Sequence, residues 1–174
     1  MLSSSGMTAS QRNGDYARLM TSLPTPQLKF FADLSVQVEP PQEVGAALHG
    51  LRRLIPIAGG EVLGDGWRAR ILPGGADFQL LVNDRVAELD ARYVMETDAG
   101  DRIYVENRAI RSGPAELIAK LVRGEAVDPA QIYFRCCPRF ETASPALAWI
   151  SERLFVGSGA RFPDRVVMRF FELA

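Results

Sequence analysis

Four stretches of the chain place carboxylates, amides and arginines two residues apart. In "ADFQLLV" these are Asp77 and Gln79, and in "ELDARYVME" Asp90 and Arg92. "RIYVENRAI" carries Tyr104, Glu106 and Arg108 in this spacing, and "IYFRCC" carries Tyr133, Arg135 and Cys137. A spacing of two puts side chains on one face of a strand. A carboxylate and an arginine on the wall of one cavity supply the parts for proton transfer beside a carbonyl. The carboxylate takes the proton, and the guanidinium holds the oxygen that gains charge. The catalytic candidates are Asp77, Arg135 and Glu141, the last in "FETASPALAW". Gln79, Arg92, Tyr104, Glu106, Tyr133 and Trp149 are the candidate ligand contacts.

Each polar row has an apolar row opposite it. Phe78, Leu80 and Val82 oppose Asp77 and Gln79; Leu89, Ala91, Tyr93 and Met95 oppose Asp90 and Arg92. Ile103, Val105 and Asn107 oppose the Tyr104 row, and Ile132, Phe134 and Cys136 the Tyr133 row. A polar row either faces solvent or lines a wet interior. The interior is the expectation for Asp77, Gln79, Arg92 and Arg135, where an aspartate (Asp77 or Asp90) would pair with an arginine. Glu141 serves equally as a helix cap, and Trp149 equally as core.

The elements that must position these residues are strands. "LKFFADLSVQVEPP" alternates with period two and ends at Pro40-Pro41. From Leu51 to Ile110 the chain reads as consecutive short strands. Gly59-Gly60, Gly64-Asp65-Gly66, Asn83-Asp84 and Asp98-Ala99-Gly100 are expected as the turns between them. "SGPAELIAKLVRGEAVDP" breaks the pattern as a short helix lying over the barrel or closing one mouth, with Ser112 as its expected cap, Pro114 near its first turn and Gly124 as its stop. "SPALAWISERLFVGSG" begins as a helical turn, and "RVVMRFFEL" is a last strand able to pair with the first. The fold class is all-β: a single antiparallel, mostly up-and-down β-barrel, closed by its terminal strands. Residues 1–24 are expected as a disordered leader and 25–174 as one domain. Gly74-Gly75, in "LPGGADF", is expected at a bulge or sharp corner.

At 174 residues the chain can bury a full-sized core, and its net charge of −1 gives no electrostatic case for nucleic acid or an anionic membrane. The arginines in "GLRRLIP", "ENRAIRSG" and "YFRCCPRF" are interleaved with acids, so most are expected on a solvated, mixed-charge surface. Neighbouring Cys136 and Cys137 and the lone His49 make no metal set, so no metal and no cofactor are expected. No apolar run reaches the length of a membrane helix, and a cytoplasmic location is expected by default.

The ordered motifs "IPIAGG", "LPGGADFQ", "LDARYVMETDAG", "YFRCCPRFET" and "LFVGSGAR" resemble those of the domain of unknown function 3237 family, also called uncharacterised protein family 0311. The resemblance runs from about Leu28 to the C-terminus. It implies a compact antiparallel β-barrel with an internal cavity, and no established reaction.

The expected function is a barrel that binds a small, apolar, oxygenated molecule, with a cofactor-free lyase or isomerase as the enzymatic form of that reading. The alternative is a non-catalytic structural or interaction barrel, a possible homo-oligomer, with a side-chain-filled interior.

Overall fold

The computed structural model describes residues 23–174. The expected leader therefore falls, but for its last two residues, outside the described residues. Ten strands form one antiparallel sheet: β1 (Leu28–Val38), β2 (Gln42–Ala47), β3 (Gly50–Gly64), β4 (Arg68–Ile71), β5 (Gly75–Leu81), β6 (Val86–Thr97), β7 (Arg102–Ser112), β8 (Tyr133–Thr142), β9 (Phe155–Arg161) and β10 (Arg165–Leu173). The sheet closes because β1 pairs with β10 on one edge, from Leu28↔Leu173 to Gln37↔Arg165, and with β3 on the other. Its first and last strands thus leave no open edge.

The closed barrel has eight staves, because β4 and β5 are two halves of one. Both pair with β3 and with β6, and "LPGG" breaks them apart. Gly74 takes φ +102° at that break, with open space where a Cβ would sit. Gly75 is the close approach: a Cβ there would lie 2.6 Å from the Arg92 carbonyl oxygen and from Tyr93 Cβ on β6. One glycine makes the corner, and the next lets the stave return against its neighbour.

Two expectations need correction. Gly59-Gly60 is no turn, since β3 runs unbroken from Gly50 to Gly64. A register shift between Gln37 and Val38 lies opposite these glycines, and a Cβ on Gly60 would strike the Ser35 carbonyl oxygen. Glycines of this kind bend a strand within the ladder as readily as they end it. Ser112 is not the helix cap either. It is the last residue of β7, and helix α1 (Ala115–Val122) starts after Pro114 with no side-chain cap bond. The helix buries Ile118 and Leu121 and is followed by Gly124 at φ +78°. The turns at Gly64–Gly66, Asn83–Asp84 and Asp98–Gly100 stand where expected, as does the helical turn Pro145–Glu152, a 3-10 segment.

The interior divides along the barrel axis. Around the start of β1 and β9 and the end of β8, Phe31 packs against Phe155 (ring centroids 4.8 Å apart), Phe140 (5.2 Å) and Trp67 (5.3 Å). This aromatic cluster fills one half. The other half is lined by the end of β1, the middle of β3, β5, the middle of β6, the second half of β7, the start of β8 and the β9–β10 hairpin, and it holds a cavity. No helix among the described residues is long and apolar enough to cross a membrane.

Candidate functional site

Three strands carry one polar row across the cavity wall. Asp77 on β5 pairs with Ala91 on β6, and Ala91 pairs with Asn107 on β7. One step along, Gln79 pairs with Leu89, and Leu89 with Ala109. Alanine between polar neighbours keeps the wall low, and space remains above it. Arg111, two residues beyond Ala109, and Arg161 from the end of β9 complete the polar end, with Arg53 on β3 behind the wall, directly opposite Gln79. Val36, Ile55, Ile57, Phe134, Val166 and Met168 form the apolar remainder. The volume open to the centres of water-sized atoms is about 40 Å³, enough by that measure for about three ordered waters or one ligand head group.

The side chains at this end are linked. Arg53 Nε donates to Gln79 Oε1 at 2.9 Å, and Gln79 Nε2 donates to Asp77 Oδ2 at 2.5 Å. Arg53 also reaches the rim, where Glu43 Oε1 lies 3.9 Å from its Nη1. Arg161 is tied down by the backbone carbonyls of Phe162 and Arg165. Arg111 is different. It is 1% exposed, and its Nε and Nη2 have no protein partner. Among the described residues no carboxylate oxygen comes within 4.0 Å of its nitrogens.

Unmet polar capacity gathers in this one place. The buried side-chain atoms without a partner are Asp77 Oδ1, Tyr93 Oη, Asn107 Oδ1, and Arg111 Nε and Nη2, and all four residues line the cavity. Buried polar groups are nearly always bonded, so five such atoms on one cavity wall call for a polar occupant, ordered water or ligand.

Burial sets the protonation of these groups. Desolvation raises the Asp77 carboxyl above the usual aspartate range, against the opposing effects of the Gln79 hydrogen bond and the Arg111 charge. Burial and the neighbouring Arg53 charge lower Arg111 to about 10, which still leaves it charged at neutral pH. Burial also lowers Arg161 and Arg53, and it raises the Tyr93 hydroxyl. The Cys136 thiol is pushed up to about 12, chiefly by burial, and stays protonated.

Of the residues singled out from sequence, the cavity takes Asp77 and Gln79. The others lie elsewhere. Arg92 is 44% exposed on the outer wall, 3.3 Å from Asp90 and 3.8 Å from Glu106. Arg135 also faces outward, donating to the Phe134 carbonyl at 2.9 Å and lying over the Tyr133 ring. Tyr104, Glu106, Tyr133 and Glu141 share that outer surface. Trp149 packs on the aromatic end, 6.0 Å from Phe31 and 6.2 Å from Phe155 between ring centroids, and does not line the cavity. The reason is the strand period. On β6, β7 and β8 the apolar row takes the core, and the polar row must then face out. Arg92 and Arg135 thus do not pair with Asp77; the arginines whose charges act on it are Arg111, Arg53 and Arg161, none of them in an ion pair with it.

The missed residues carried a signal. Arg53 shares parity with Ile55 and Ile57, and Arg111 with Val105, Asn107 and Ala109. An arginine on an apolar row is either a strand-end residue or a buried functional one.

A family model described as "Protein of unknown function (DUF3237)" matches residues 26–173. The chain belongs to the DUF3237 family. A UPF0311 protein of Rhodopseudomonas palustris is 49% identical over 145 residues, covering 83% of this chain and 95% of that one. The crystal structure of a conserved R. palustris protein of unknown function superposes with a TM-score of 0.81 at 46% identity, over 87% of this chain and 99% of that one. A β-barrel-like protein of Acinetobacter baumannii gives a TM-score of 0.77 at 37% identity, over 88% and 99%. A similar barrel fold recurs at 18% identity, with a TM-score of 0.65 over 88% of this chain and 98% of that one, in a crystal structure described as an enzyme from Penicillium herquei; that likeness concerns the fold alone.

Proposed function

We propose that the barrel binds a small, largely apolar, oxygenated molecule in this cavity and acts on it as a cofactor-free lyase or isomerase. The gathering of unpartnered Asp77 Oδ1 and Arg111 Nε and Nη2 on one buried wall carries this reading. Asp77, raised by burial, is the base: it takes a proton from the carbon next to a carbonyl. Arg111 holds the oxygen of that carbonyl, or both oxygens where the group is a carboxylate, as charge builds there, in a dry site where such hydrogen bonds count most. Returning the proton from Asp77 to the γ-carbon of an unsaturated substrate gives isomerisation, and expelling a group from the β-carbon, with that proton passed to it, gives elimination. Gln79 fixes the Asp77 carboxylate so that Oδ1 faces the cavity.

Native mass spectrometry of freshly purified protein tests the binding. A co-purifying small molecule is expected, and its release by Arg111→Met ties it to the cavity. Turnover of oxygenated aromatic, terpenoid and keto-acid panels tests the chemistry, with Asp77→Asn as the inactive control.

The free volume of about 40 Å³ favours a second reading, a non-catalytic barrel filled by its own side chains. Phe78, Ile110 and Tyr133, each about half exposed on the outer wall, support homo-oligomer formation in that case. Light scattering with Phe78→Asp would detect it. A cytoplasmic location is part of either proposal, and fractionation of the source cells tests it.

A further inference from the structure

Resting on the small-molecule reading above, we infer that the ligand is a small apolar carboxylic acid, bound as its carboxylate with both oxygens on the Nε/Nη2 edge of Arg111. The two unpartnered donors of Arg111 are not an arbitrary pair. In a guanidinium, Nε–H and one Nη2–H point the same way in one plane, at a spacing that matches two oxygens on a single carbon. A neutral carbonyl satisfies one of them and leaves the other buried and unmet. A tetrahedral phosphate meets the edge too, but its remaining oxygens would need further donors. Tyr93 Oη offers one, fewer than two further oxygens need, while the Asp77 carboxylate and Asn107 Oδ1 only accept and the Gln79 amide is already bonded to Asp77 and Arg53.

Charge agrees with this count. Arg53 has Gln79 and the rim carboxylate Glu43, and Arg161 has backbone carbonyls. Among the described residues Arg111 alone holds a buried positive charge with no carboxylate within 4.0 Å, and a single negative head group matches it. The rest of the ligand meets Ile55, Ile57, Phe134 and Met168, which offer no hydrogen bond to a polar body. The free volume of about 40 Å³ takes the head group, and a compact apolar body behind it matches the apolar side of the wall.

The test is calorimetry of the whole chain with three probes: benzoate, its neutral isostere benzamide, and inorganic phosphate. Benzoate is expected to bind, with benzamide and phosphate weaker by roughly tenfold or more, since the amide opposes a donor to a donor. Arg111→Lys keeps the charge and loses the planar edge, so it should weaken benzoate by about tenfold while leaving the circular dichroism spectrum unchanged. Should that variant not fold, the benzoate-to-benzamide ratio on the natural chain decides. Equal binding of benzoate and benzamide, tighter binding of phosphate, or benzoate binding indifferent to Arg111→Lys overturns the carboxylate assignment. Failure of all three probes overturns it as well; a neutral co-purifying molecule in native mass spectrometry then preserves the small-molecule reading, and none at all removes both.

Discussion

Gln79 stands between Arg53 and Asp77, accepting from the first at 2.9 Å and donating to the second at 2.5 Å. One amide thereby satisfies a buried guanidinium and orients a buried carboxylate, from a position itself only 4% exposed. Gln79→Leu keeps the volume and removes both bonds, leaving two buried groups with less than they had. Urea unfolding should show a loss of about 1–3 kcal/mol. An unchanged midpoint would mean that water takes over both bonds.

Asp77 makes stability depend on pH in a definite direction. Its folded value lies above the ordinary aspartate value of 3.8, burial being the main cause. Below 3.8 the carboxyl is protonated in both folded and unfolded chains, and its contribution to stability is fully present. As pH rises from there through the raised folded value, the unfolded chain ionises first and that contribution is lost. Asp77→Asn should therefore match the natural chain in strong acid and become the more stable of the two as pH approaches neutrality. Melting temperatures of both proteins from pH 3 to 8 check this. A variant less stable at neutral pH would show that the charged Asp77 is a net support of the fold.

Gly74 and Gly75 should fail differently when changed. Gly74 has positive φ and open space, so Gly74→Ala meets only backbone strain, about 1–2 kcal/mol, and Gly74→Val more. Gly75→Ala would set a Cβ 2.6 Å from β6 backbone, which cannot move without parting the Asp77 stave from its neighbour. Chemical denaturation should show the larger loss at Gly75, and benzoate binding should fall with it. Two alanine variants of equal stability would contradict the close approach.

The barrel was legible because the strands alternate and most turns between them carry Gly, Asn or Asp. Gly59-Gly60, expected as a turn and found inside β3, shows the limit: glycines that bend a strand look like glycines that end it until the partner strand is known. The site was half legible. Strand parity placed Asp77 and Gln79 together, and it sorted Arg92 from Tyr93 and Arg135 from Phe134 without saying which side was inside. Closure decides that, and closure rests on pairings such as Leu28↔Leu173 at opposite ends of the chain. Arg53 and Arg111 were hidden by a sound rule, since arginine among mixed charges is usually exposed. Only their apolar rows argued otherwise, and register alone brings Arg53 opposite Gln79, 26 residues away.

Trp149 separates the two ends of the barrel. Its ring packs against Phe31 and Phe155 beneath the aromatic cluster and is 41% exposed, away from the arginines. Trp149→Ala removes two aromatic contacts and part of the buried area of a large ring, which should lower stability by about 1–2 kcal/mol. Ligand binding in the cavity should stay as it was, because no atom of Trp149 lines it. Denaturation and benzoate calorimetry on the same preparation read both quantities. Weakened binding with unchanged stability would reverse the assignment and return Trp149 to the ligand contacts that its sequence position first suggested.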